Sequence, residues 1–174
     1  MFHGPFRVAT GAASGGVDVT YDPADPLPGS SIKGLMKANA RAILKIEESV
    51  IGEVYGSATR RSPWWWSEAS LLDAVPAVRT RLAIDPATGT AKEKALVTGV
   101  ELWAVEGWFE VHDRDRIPPD RIELHKAVLT ASALAVTAFG SGRRRGLGWV
   151  SVHPEHPWDD QQHELLRTCR RNDA

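Results

Sequence analysis

Between Phe139 and Val152 the chain reads FGSGRRRGLGWVSV, with Gly140, Gly142, Gly146 and Gly148 set around the consecutive Arg143, Arg144 and Arg145. Glycines let a main chain turn sharply and expose its amides, and guanidinium planes supply charge, forked donors and stacking surfaces. Together they suit a phosphate chain. A helix stop and one tight turn account for Gly140 and one further glycine, but not for four glycines with an arginine triplet. Two common glycine motifs are excluded. No lysine followed by Ser or Thr closes the loop, as a P-loop requires. The order is helix before and strand after, the reverse of a dinucleotide fingerprint.

A second cluster lies in PLPGSSIKGLMKANARAILKIEESV. A turn opens it, Ser30 or Ser31 is offered as the N-cap, and Ile32, Leu35, Met36, Ala40 and Ile43 follow at helical spacing. Lys33, Lys37, Arg41 and Lys45 recur every fourth residue, a stripe in which like charges cost roughly 0.2–0.5 kcal/mol per pair. A solvated face, helped by Glu47 and Glu48, is one account of it. A face that tracks phosphates is the other, since neutralising the backbone supplies most nucleic-acid affinity. Ser30, Ser31 and Lys33 stand at the positive end of the helix, where free amides favour an anion. Gly34 costs about 1 kcal/mol against alanine there, which a close approach by a ligand would explain.

The positioning elements follow from periodicity. GPFRVATG places Phe6 and Val8 on one face of a short strand and Arg7 on the other. GVELWAVEGWFEVHD predicts a hairpin split at Glu106-Gly107. PPDRIELHKAVLTASALAVTAF predicts a second helix, with prolines at its start, Gly140 at its stop and apolar residues over most of its girth. LGWVSV is a last strand. The resulting β-α-β-β-α-β order predicts an α+β, ferredoxin-like (RRM-like) domain over residues 1–152, an antiparallel sheet with both helices on one side. Residues of about 50–96 do not fit that plan and are expected as an insertion. Residues 153–174 are expected as a tail, a proline-broken linker and a short helix. In the insertion, RRSPWWWSEASL sets Trp64, Trp65 and Trp66 on alternating faces if extended, so at least one is buried and another is free for a subunit contact or base stacking.

The chain has 174 residues, 43% hydrophobic and 25% charged, with a net charge of −1, the composition of an ordinary globular protein. That balance names no polyanion partner globally, so one is argued from local clusters. No apolar run is long enough to span a bilayer, and Met1–Gly11 lacks the charged start and apolar centre of a signal peptide. The single cysteine, Cys169, cannot form an internal disulfide, and a cytoplasmic protein without a membrane partner is expected. His153, His156 and His163 lack the partners and spacing of a zinc site.

Four motifs in this order resemble the RAMP superfamily of CRISPR-associated RNA-binding proteins: LPGSSIKGLMKANAR, VYGS, IDPATGTAKEKALVTGVELWAVEGWFEV and GSGRRRGLGWV. With ATGAASGGVDVTYDPADPLPGSSIKG, the chain is similar to the repeating backbone subunit of type III (Csm-type) effector complexes. The resemblance implies guide (CRISPR) RNA, complementary target RNA and other effector subunits as partners, with self-association along the RNA. It implies RNA-binding roles for Ser30, Ser31, Lys33, Lys37, Arg41, Gly142, Arg143, Arg144 and Arg145. It also casts residues of about 85–97 as a thumb-like hairpin that brings Lys92 and Lys94 near nucleic acid. Asp18, in GGVD, stands where that subunit carries the aspartate required for target-RNA cleavage. By its chemistry it could bind a divalent cation such as Mg²⁺ or help activate a ribose 2′-hydroxyl, so a metal-dependent endoribonuclease acting within the assembled complex is the expectation. As one of Asp18, Asp22 and Asp25 it also fits a turn residue. No organic cofactor is expected. A non-catalytic RNA-binding scaffold and a guide-processing endoribonuclease are the alternatives; the latter needs a histidine or tyrosine near the glycine loop, and His3 at the terminus has no partner.

Overall fold

The computed structural model describes residues 2–9, 25–140 and 148–171. In chain order its elements are β1 (Phe2–Ala9), α1 (Gly29–Ala42), α2 (Glu48–Tyr55), β2 (Trp64–Trp66), β3 (Ser70–Leu72), β4 (Val75–Ile84), β5 (Ala91–Trp108), β6 (Val111–Asp113), α3 (Pro119–Leu134), β7 (Ser151–Val152) and α4 (Asp160–Thr168). The long β5 organises the main sheet. Along one edge it pairs antiparallel with β1, from Phe2↔Gly107 to Ala9↔Glu101. Its other edge takes β4, from Ile84↔Ala91 to Val75↔Trp103, and then β3. Asp73, at φ 49°, breaks this outer strand in two. β7 joins the free edge of β1 through Phe2↔Val152. The order is therefore β3/β4–β5–β1–β7, all antiparallel, with α1 after β1 and α3 before β7. This is the ferredoxin-like α+β arrangement.

The core explains why the helices dock as they do. Ile32, Met36 and Ala40, four residues apart on α1, are buried against Leu124 and Val128 of α3, with Leu102 and Val152 contributed by the sheet. Gly29 lets α1 approach β2 closely, since a Cβ there would collide with the carbonyl oxygens of Trp66 and Ser67. α3 is buried on most of its girth, as its composition predicts.

Three local expectations are corrected. The hairpin does not split at Glu106-Gly107, because β5 runs through both residues and β6 leaves to pair with β2. The sheet hairpin is β4–β5, turning at Asp85–Thr90, where Gly89 has φ 67° and Ala87 N donates to Asp85 Oδ1. Residues 50–96 thus carry most of α2, then β2, and three parts of the main sheet: β3, β4 and the start of β5. The first helix is two helices: Lys45, at φ 58°, turns the chain so that Ile46 is buried and bridges Arg170. The segment after α4 helps to pin this turn, with Glu47 N donating to Cys169 O at 2.9 Å and Arg171 N to Lys45 O at 2.7 Å. Finally, α3 ends at Leu134 rather than at Gly140, since Val136 and Phe139 turn back into the core.

A buried polar network ties α2, β2 and α3 together. Trp64 Nε1 donates to His125 Nδ1 at 3.2 Å, which leaves the histidine proton on Nε2, 3.5 Å from Glu53 Oε2. Arg121 donates to the same oxygen from Nε at 3.1 Å and Nη2 at 2.6 Å. Burial lowers the His125 pKa below its ordinary 6.5 and outweighs the opposing pull of Glu53. The unfolded chain therefore takes up this proton first. Stability is full above about pH 6.5 and falls as pH drops from there toward the folded pKa. We expect the urea midpoint to fall between about pH 7 and 5, and His125→Gln to flatten that slope; equal slopes in the two proteins would remove His125 as the cause.

Candidate nucleic-acid interface

α1 starts without a side-chain cap. Pro28, not Ser30 or Ser31, occupies the N-cap, and among the described residues no side chain caps the first turn. The two serines lie within the first turn, exposed at the positive end of the helix. Beside them opens a depression of about 230 Å³ lined by Ser30, Lys33, Arg61, Trp65, Trp66 and Arg114.

Each cation is placed by a local device. Lys33, one turn into α1, holds its ammonium 5.0 Å from the centroid of the Trp66 ring. Partial burial lowers its pKa, and the neighbouring charges of Lys37 and Arg61 lower it further. Arg61 is delivered by the loop after α2. There Gly56 takes φ 83°, and a Cβ on it would meet Ser62 N at 2.8 Å and Arg60 O at 2.9 Å. This gives a physical reason for the glycine of VYGS. Ser62, buried, fastens the loop by donating to Val54 O at 2.6 Å and accepting from Trp64 N at 3.2 Å. Arg114 follows β6, where its backbone N–H donates to Pro63 O at 2.7 Å. Lys33, Arg61 and Arg114 have no carboxylate partner among the described residues. Three crowded cations with no ion pair among the described residues favour an anion.

The rest of the expected stripe is spent differently. Lys37 Nζ donates to Gly56 O at 2.7 Å, at the C-terminus of α2. Arg41 forks onto Glu48, with bonds of 2.6 and 2.7 Å. Lys45 lies outside the helix. A Cβ added to Gly34 would meet nothing within 4 Å among the described residues, whose packing gives no reason for a glycine there. Asp18, Gly142, Arg143, Arg144 and Arg145 lie outside the described residues. Among the described residues no group of three or more His, Cys, Asp or Glu could hold a metal ion, and no helix is long and apolar enough to cross a membrane.

β2 and β6 complete the surface. Their register pairs Trp64 with Asp113, Trp65 with His112 and Trp66 with Val111. Trp64 and Trp66 point into the core, where Trp66 stacks on Tyr55 at 5.6 Å, while Trp65 is 49% exposed. The alternation expected from the sequence is the observed one. Sequence reasoning did not single out Arg61, Arg114 or His112. The Arg60-Arg61 pair before the tryptophan run was a usable signal for the first; the other two are gathered only by the fold.

Among curated protein sequences none matches this chain. A solved structure with a similar fold is a chain from the cryo-EM structure of the Type III-B Cmr-beta bound to cognate target RNA. It aligns with a TM-score of 0.56 and 16% sequence identity, covering 88% of this chain. This chain spans 57% of the length of that one. The model of the RAMP superfamily matches residues 5–151. With a ferredoxin-like sheet and a match to the family model over most of its length, the chain belongs to the RAMP superfamily.

Proposed function

We propose that this protein is an RNA-binding, backbone-type subunit of a type III CRISPR effector complex, which binds guide RNA and cleaves the paired target RNA. The observation that carries the RNA contact is the set of unpaired cations Lys33, Arg61 and Arg114 at the uncapped start of α1. Successive phosphates of a strand there accept from backbone amides and are neutralised by side chains that have no carboxylate partner among the described residues. Family membership supports the reading, as does a fold shared with a chain from a complex bound to target RNA. The glycine-rich loop with Arg143, Arg144 and Arg145 extends the same contact in this proposal. Residues 1–152 act as one RRM-like unit, and the β4–β5 hairpin is its thumb-like arm.

Self-association along the RNA is supported by that arm. Val78, Leu82 and Ile84 alternate along β4 and are 63%, 53% and 63% exposed. An exposed run of large apolar side chains on a sheet strand is the chemistry of a subunit contact.

Asp18 is the proposed catalytic carboxylate. In-line attack of a ribose 2′-oxygen on the adjacent phosphorus forms a new P–O bond as the P–O5′ bond breaks. The 2′-hydroxyl proton passes to Asp18, and the departing 5′-oxygen is protonated by solvent. The products are a 2′,3′-cyclic phosphate and a 5′-hydroxyl. Holding sugar and phosphate in line supplies much of the acceleration, so the protein need add little more than a positioned base.

Co-expression with a CRISPR array and the other effector subunits tests the assembly. We expect a ribonucleoprotein in which the copy number of this chain, read by native mass spectrometry, rises with guide length. An RNA-free monomer recovered beside an otherwise complete complex would contradict it.

A further inference from the structure

We propose that Trp65 and His112 form a stacking shelf for one unpaired nucleobase of the bound RNA, whose own and neighbouring phosphates are held by Lys33, Arg61 and Arg114. The inference rests on the RNA reading above and adds a subsite to it.

The shelf is a cross-strand pair. Trp65 and His112 face each other in the β2–β6 ladder, their ring centroids 5.8 Å apart and their planes 19° from parallel. Glu110 Oε2, 2.7 Å from His112 Nε2, holds the imidazole in that orientation. Folding alone does not call for an indole here. Trp64 and Trp66 already fill the inward positions of the strand, and the outward one would take any polar residue. Instead the outward position carries a half-exposed tryptophan lining the same depression as three cations without carboxylate partners. A single-stranded nucleotide matches both halves of that surface, an apolar π face and a phosphate one sugar away. A base in a duplex offers no free face, so the subsite selects an unpaired or flipped residue. Every base has such a face, which makes the contact tolerant of sequence.

The test uses the full chain and two single-stranded RNA oligomers, one ordinary and one carrying abasic residues throughout. On the ordinary oligomer, Trp65→Ala should weaken binding by about 5- to 150-fold, the range for loss of one stacked base. Trp65→Phe should keep most of the affinity. On the abasic oligomer, wild type and Trp65→Ala should bind alike, which a merely structural role for the indole would not produce. Thermal unfolding of each variant checks the fold. Equal affinity of wild type and Trp65→Ala for ordinary RNA overturns the shelf; so does an equal loss on both oligomers. If either occurs while the Lys33, Arg61 and Arg114 variant loses RNA, the RNA reading stands without the shelf. Failure of the wild type to bind any RNA removes both.

Discussion

Asp18→Ala is expected to slow target-RNA cleavage by the assembled complex by about 10²–10⁴-fold, the usual contribution of a positioned general base. Guide binding and assembly should be unchanged, because a carboxylate makes no favourable contact with a phosphate. Asp22→Ala and Asp25→Ala should leave the rate within about twofold, since the resemblance gives neither a part in cleavage. The assay follows a labelled complementary RNA incubated with reconstituted complex, with and without magnesium. Equal rates for wild type and Asp18→Ala would take Asp18 out of the mechanism. No cleavage by either protein would leave an RNA-binding scaffold.

Much of the sheet-and-helix order was legible because each segment carries a local period. The four-residue spacing of Ile32, Met36 and Ala40 marks α1, the all-round apolarity of 124–133 marks α3, and the strict alternation of Trp64, Trp65 and Trp66 is the burial found. The hairpin was misplaced because Gly107 looked like a turn. In the sheet it is a strand residue between Phe2 and Leu71, buried where two ladders meet. The stronger turn signal, Asp85 to Thr90 with Pro86 and Gly89, lay in the stretch assigned to an insertion. The break at Lys45 had no local mark. It depends on the C-terminal segment, more than 120 residues away in sequence, docking against Ile46 and Glu47. The candidate site shows the same division. Ser30 and Lys33 were legible from one helical turn, whereas Arg61 and Arg114 join them only through the Gly56 loop and the β2–β6 ladder. Spacing alone also could not tell which cations were already paired, as Arg41 is by Glu48.

Replacing Lys33, Arg61 and Arg114 together with alanine is expected to weaken single-stranded RNA binding by roughly 10- to 100-fold at ~0.15 M salt, from the counterion release lost with three phosphate contacts. All three side chains line the depression and carry no ion pair among the described residues, so their removal should leave the unfolding transition nearly unchanged. A variant of Arg41 alone should do less, since its charge is matched by Glu48. The central claim is that this face of α1 and β2 grips an RNA backbone, and the most direct measurement is the RNA affinity of wild type and triple variant across a salt series. The account predicts a log–log slope shallower by about 2 in the variant, three contacts at ~0.7 each on a single strand; identical slopes and affinities in the two proteins would contradict it.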